Sequence, residues 1–264
     1  MKRLLALAVA LAAAGGLSAS EPVEPARPRV DELRTALAAK PEDPQVRRDL
    51  ALALQSANRL DEAIVHFEWL ARRSPNVRSL LELAIAYRSA SRLDDSEATY
   101  KRLLELSPDH PVALHNLGSL AFKQGDADKA IAYFRKAIEV KPDYLLAHAH
   151  LGDMLRHVER NEEAYREYEK VLELEPANGT ELAAFDDALY RMATLDMQMG
   201  AYQRAGQLLA ELLRANPEHQ SAYYALGQVL LHLDRPEEAQ KAFEAHQRIL
   251  AKQTPTSPMA HPGE

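Results

Sequence analysis

The sequence predicts an all-α chain of stacked helical hairpins, and three observations carry that expectation. Prolines recur at Pro41, Pro75, Pro108, Pro142, Pro176 and Pro217, spaced by 34, 33, 34, 34 and 41 residues. Each closes an apolar helical stretch, as in Leu103-Leu104-Glu105-Leu106-Ser107-Pro108 and Val171-Leu172-Glu173-Leu174-Glu175-Pro176. Small and bulky residues also recur at fixed positions within the period. A unit of this length holds two helices too short to be stable alone, so neighbouring units must bury one another's faces.

Taken in order, the chain opens with Lys2-Arg3, an apolar run over residues 4–17, and Ser18-Ala19-Ser20 before Glu21-Pro22. A positive start, a short apolar core and small residues ahead of a polar break predict a secretory signal peptide over residues 1–20. Cleavage follows Ser20, with Ala19 the alternative. The apolar run is shorter than the roughly 20 residues that span a bilayer, which favours removal over retention as a tether. Export follows, to the periplasm in the first instance and beyond it as the alternative. Residues 21–29, with Pro22, Pro25 and Pro28, read as a linker, and residues 30–43 as a lone half-repeat helix covering the first full unit.

Six helix-turn-helix units occupy residues 44–251, starting at Pro44, Val77, Pro111, Leu145, Asp186 and Gln220. Position 8 of each is small (Ala51, Ala84, Gly118, Gly152, Ala193, Gly227), which lets the two helices approach. Position 20 answers with Ala63, Ser96, Ala130, Ala164, Ala205 and Ala239, and position 24 fills the space with Phe67, Tyr100, Phe134, Tyr168, Leu209 and Phe243. Gly125 and Gly200 fall at helix ends, where a left-handed residue is needed. Pro236-Glu237-Glu238 has the proline and acids of a helix start. Residues 179–185 insert seven positions before the fifth unit and are expected to lengthen its first helix. Residues 252–264, rich in Pro, Thr and Ser, read as a disordered tail.

Composition narrows the function. The 264 residues carry 32 basic and 39 acidic side chains, a net charge of −7, with no basic stripe able to neutralise a run of phosphates. Cysteine is absent, so neither disulfides nor a lipid-modified cysteine is available to the exported chain. No metalloprotease, nucleophile-elbow or phosphate-loop motif is present. A non-enzymatic chain without cofactor is expected.

The third unit (Leu117-Gly118, Ala121, Gly125, Ala130, Phe134, Ala137, Pro142) and the fourth (Leu151-Gly152, Leu155, Ala164, Tyr168, Val171, Pro176) show the full pattern. It resembles that of the tetratricopeptide repeat family, over about four-fifths of the chain. The resemblance implies a right-handed superhelical solenoid that binds a peptide or helix of a partner protein in a concave groove. First-helix positions 2, 5, 9, 12 and 13 line that groove. Carried over, they give a basic middle portion with Arg88, His115, Phe122, Lys123, Asp153, Arg156 and His157. Toward the C-terminal end they give Tyr190, Thr194, Met197, Tyr224, Gln228, Leu231 and His232. The family's clamp for C-terminal carboxylates is not matched: Arg48 with Leu52 and Leu81 with Ile85 stand at its positions.

Three readings of function follow. The first is an adaptor or scaffold of the cell envelope, capturing a partner segment in the groove. The second is a self-assembling structural solenoid, in which the apolar face of the last helix (Ala239, Ala242, Phe243, His246, Leu250) is covered by another copy. The third is a metal- or ligand-sensing solenoid. His150, Asp153 and His157 are spaced to share one helix face, with His115 on the adjacent helix, and such histidines would also respond to pH near 6.

Overall fold

The computed structural model describes residues 26–253, which form thirteen α-helices and no strand. The segment expected to be a signal peptide, the first part of the expected linker and the residues beyond 253 lie outside the described residues. The helices are α1 (Ala26–Ala39), α2 (Pro44–Ser56), α3 (Leu60–Arg73), α4 (Val77–Ser89), α5 (Leu93–Leu106), α6 (Pro111–Lys123), α7 (Ala127–Val140) and α8 (Leu145–His157). They continue with α9 (Asn161–Glu173), α10 (Gly179–Gln198), α11 (Tyr202–Ala215), α12 (Gln220–His232) and α13 (Pro236–Gln253). Two compact units divide within α8, between Met154 and Leu155.

α1 starts four residues earlier than the sequence suggested. Pro28 falls in its first turn, where no intrahelical N–H bond is lost. The helix stops at Ala39 because Pro41 biases the residue before it away from helical backbone. In the N-terminal unit α1 packs on α2, and α2 with α3, α4 with α5, and α6 with α7 pair as hairpins. The starts of α2 and α4 are satisfied by side chains: Asp43 accepts from the backbone N–H groups of Gln45 and Val46, and Asn76 with Ser79 forms a reciprocal capping box. Ala51, Ala63, Ala84 and Ala130 are fully buried, and Phe67, Tyr100 and Phe134 fill the space beside them. Ser96 takes the place of the usual alanine and donates to the Ala84 carbonyl oxygen across the hairpin at 2.8 Å, so its hydroxyl is paired in the core.

The hairpin turns share one device. Position 15 is left-handed in all six: Asn58, Ser91, Gly125, Glu159, Gly200 and Asp234, with φ between 56° and 84°. In each, the next residue donates its N–H back to the carbonyl of position 11, as from Arg59 to Leu54 at 2.8 Å and from Ala201 to Asp196 at 2.8 Å. This closes the end of every first helix in a Schellman motif. Only two of the six sites carry the glycine that the backbone favours.

In the C-terminal unit α10 pairs with α11 and α12 with α13, and α9 packs on α10. The residues of the insertion form the first turns of α10, which is 20 residues long against 13 for the other first helices such as α12. Asn178 caps it by accepting from the Glu181 N–H. Asp196, completely buried, accepts two hydrogen bonds from Arg204, the Nε one at 2.7 Å, which ties α10 to α11. Tyr165 stands 3.5 Å from the same carboxylate, and its hydroxyl is pushed up to about 12 by burial and that negative charge. The face of α13 considered for self-assembly is covered in its first half and open at Leu250, which is 44% exposed. Ala239 and Ala242 are buried in a cluster with Leu230, and Phe243 packs beside them.

Candidate protein-binding surface

In the N-terminal unit the carried-over residues sort into outer and inner groups. Phe122 is 44% exposed at the end of α6, and Lys123 beside it is exposed. Arg88, at the end of α4, is half-buried and forms no ion pair with a carboxylate among the described residues; its Nε is buried without a hydrogen-bond partner. His115 belongs to the interior, contrary to the exposed role expected of it. It is 8% exposed, its Nε2 lies 2.8 Å from Nδ1 of His150, and the rings of Phe134 and Tyr144 flank it. Burial, reinforced by His150 and Arg88, pushes His115 down to about 3. Burial also lowers His150, with Asp153 opposing. His115 is thus uncharged near pH 6 and does not titrate there.

No three His, Cys, Asp or Glu side chains among the described residues are grouped so as to hold a metal ion. His150 instead turns to His115.

The C-terminal unit also presents an open surface. Met197 of α10 and Leu231 of α12 line a cleft of about 400 Å³ with Gln198, Tyr202, Gln228 and His232. The rings of Tyr202 and His232 stack at 4.1 Å and 7°, forming one wall. Tyr224 and Leu231, spaced i and i+7 on α12 with Gln228 between them, share a face and are 48% and 53% exposed. No acidic or basic side chain other than the histidine borders the cleft. Tyr190 is half-buried, packs on the core and lies 5.3 Å ring to ring from His219. Arg156 is half-buried and His157 exposed at the end of α8. Tyr202 was not legible as a site residue, because it stands past the turn, outside the first-helix positions. Its place in the cleft lining and its stacking on His232 reveal it.

Repeated hairpins with a small-to-bulky internal lock and no sheet define a helix-turn-helix repeat protein. Two family descriptions, both tetratricopeptide repeat, match the chain, one over residues 76–143 and the other over residues 115–179 and 190–258. The chain belongs to the tetratricopeptide repeat family. No functionally curated protein matches it.

Among solved structures, a tetratricopeptide repeat protein from Parabacteroides merdae is similar at 17% identity and TM-score 0.60, covering 94% of this chain and 92% of that one. A MamA protein is similar at 18% identity and TM-score 0.57, covering 70% and 98%. YrrB, described as having an unusual peptide-binding site, is similar at 18% identity and TM-score 0.55, covering 74% and 98%. At these identities the likeness is one of fold. Repeats of this family generally serve as non-catalytic scaffolds for protein–protein contact. No helix among the described residues is long and apolar enough to cross a membrane.

Proposed function

We propose that this protein is a non-enzymatic scaffold of the cell envelope that captures a segment of a partner protein along its first-helix face. The observation that carries the reading is the cleft of the C-terminal unit, lined by Met197, Gln228 and the exposed Leu231, with the exposed Tyr224 on the same face of α12. Apolar and aromatic side chains left exposed around a concavity are the usual anchors of a protein interface. Gln198 and Gln228 add amide donors and acceptors suited to a peptide main chain. The description of YrrB as peptide-binding agrees with that reading. The envelope location rests on the basic start, apolar run and Ser18-Ala19-Ser20 of the first twenty residues.

The test is Tyr224→Ala combined with Leu231→Ala. Both side chains are about half exposed, so helicity and melting temperature should stay close to the parent's. Partner capture from the exported fraction should weaken about tenfold or more, as for loss of interface anchors. Undiminished capture would place the binding surface elsewhere.

A further inference from the structure

The second helix of the first hairpin carries a cleft that the first-helix face does not include. Arg47 of α2 and Val65, Trp69, Arg72 and Arg73 of α3 line an open volume of about 400 Å³. The Arg47 guanidinium carbon lies 4.1 Å from the centre of the Trp69 ring and that of Arg73 5.4 Å from it, so two cations share one indole. Val65 is 61% exposed on the same helix, an aliphatic side chain with no core to fill.

Charge balance in the cleft is incomplete. Arg47 has no carboxylate partner among the described residues. Its Nη2 donates to the Pro41 carbonyl oxygen at 2.6 Å, its Nη1 lies 3.4 Å from Nδ1 of His66, and its Nε has no partner. Arg72 pairs with Glu68 at 2.8 Å, and Glu68 also accepts from the Tyr87 hydroxyl at 2.8 Å. Arg73 has Glu42 as its carboxylate partner among the described residues, at 3.3 Å, with both side chains more than half exposed. Such a pair is worth little and exchanges readily. Burial, reinforced by Arg47, lowers His66 and favours its neutral form.

We propose that this cleft is a second docking site, for a partner peptide that carries a carboxylate next to an aliphatic side chain. The carboxylate takes the place of Glu42 on Arg73 and lies in the field of Arg47, while the aliphatic group covers Val65 and the open edge of Trp69. Glu42 and Glu68 on the rim select against broad anionic surfaces, since a membrane or polyphosphate would meet them as like charges. A lone phosphate would leave the apolar floor uncovered.

Trp69 is the sole tryptophan of the chain, so its fluorescence reports on this site alone. The experiment titrates the exported protein with the blocked peptide acetyl-Gly-Glu-Leu-Gly-Glu-Leu-Gly-amide, with its Glu-to-Gln counterpart, with inorganic phosphate and with vesicles rich in anionic lipid. The expected result is a saturable spectral shift with the Glu-Leu peptide only. Arg73→Gln should weaken it about fivefold, and Glu42→Gln, which removes the competing carboxylate, should tighten it about twofold. Tyr224→Ala should leave it unchanged, which separates this site from the first-helix face. No shift, an equal shift with the Gln peptide, or saturation by phosphate or vesicles would overturn the proposal.

Discussion

At the scale of single residues, His115 shows how packing overrules position. Its place in the repeat made it a candidate contact, yet Phe134, Tyr144 and His150 enclose it. An imidazole held down to about 3 in the folded chain and near 6.5 in the unfolded one makes the unfolded state bind the extra proton between those values. Its contribution to stability is therefore complete above about pH 6.5 and is lost as pH falls toward 3. Thermal melts of the parent should fall over this window more steeply than those of His115→Asn, which has no proton to take up at that site. Parallel pH profiles for the two proteins would contradict the assignment. Which groups cover a side chain from neighbouring helices is a property of three-dimensional packing, so neither this burial nor the His115–His150 hydrogen bond was legible in the sequence.

At the scale of elements, the hairpin lock was legible because few residue types satisfy it. A Cβ built on Gly118 would lie 2.7 Å from Cε1 of Phe134, inside any real contact distance. Gly118→Ala should accordingly cost about 1–3 kcal/mol, the range for overpacking a tight core, as measured by chemical denaturation. A change below a few tenths would mean the two helices have room to part. The turns were half legible. Gly125 and Gly200 advertised their left-handed backbone, whereas Asn58, Ser91, Glu159 and Asp234 adopt it without the residue that signals it. Glu159 at φ 61° has the least natural side chain for that region. Glu159→Gly should relieve about 1 kcal/mol of strain, less some loss to the greater freedom of glycine in the unfolded chain. The expected outcome is a small rise in melting temperature; a fall would show that the Glu159 side chain contributes more than its backbone costs.

At the scale of the whole molecule, a strict period, no cysteine and scattered charge leave stability to helix packing repeated along the chain. The period made the class of fold readable from the prolines alone, and the family matches agree with it. The binding surface was readable only in part. Met197, Tyr224 and Leu231 came from position in the repeat, and the structure places Met197 and Leu231 in one cleft with Tyr224 on the same helix face as Leu231. Tyr190 came from the same rule but packs on the core. The Arg47–Trp69–Arg73 cleft lies outside the rule altogether, since it joins a first helix to the outer face of a second. The last helix packs Ala239, Ala242 and Phe243 on α12 and leaves Leu250 exposed.

The measurement that bears most directly on the scaffold reading is site-specific photocrosslinking in cells, followed by mass spectrometry. A photoreactive side chain at Gln228 would probe the cleft, and one at Leu106, 54% exposed on the second helix α5, would serve as the comparison. The account predicts one or a few foreign envelope proteins crosslinked at Gln228 and not at Leu106. Crosslinks to other copies of this chain alone, or the same products from both positions, would contradict it.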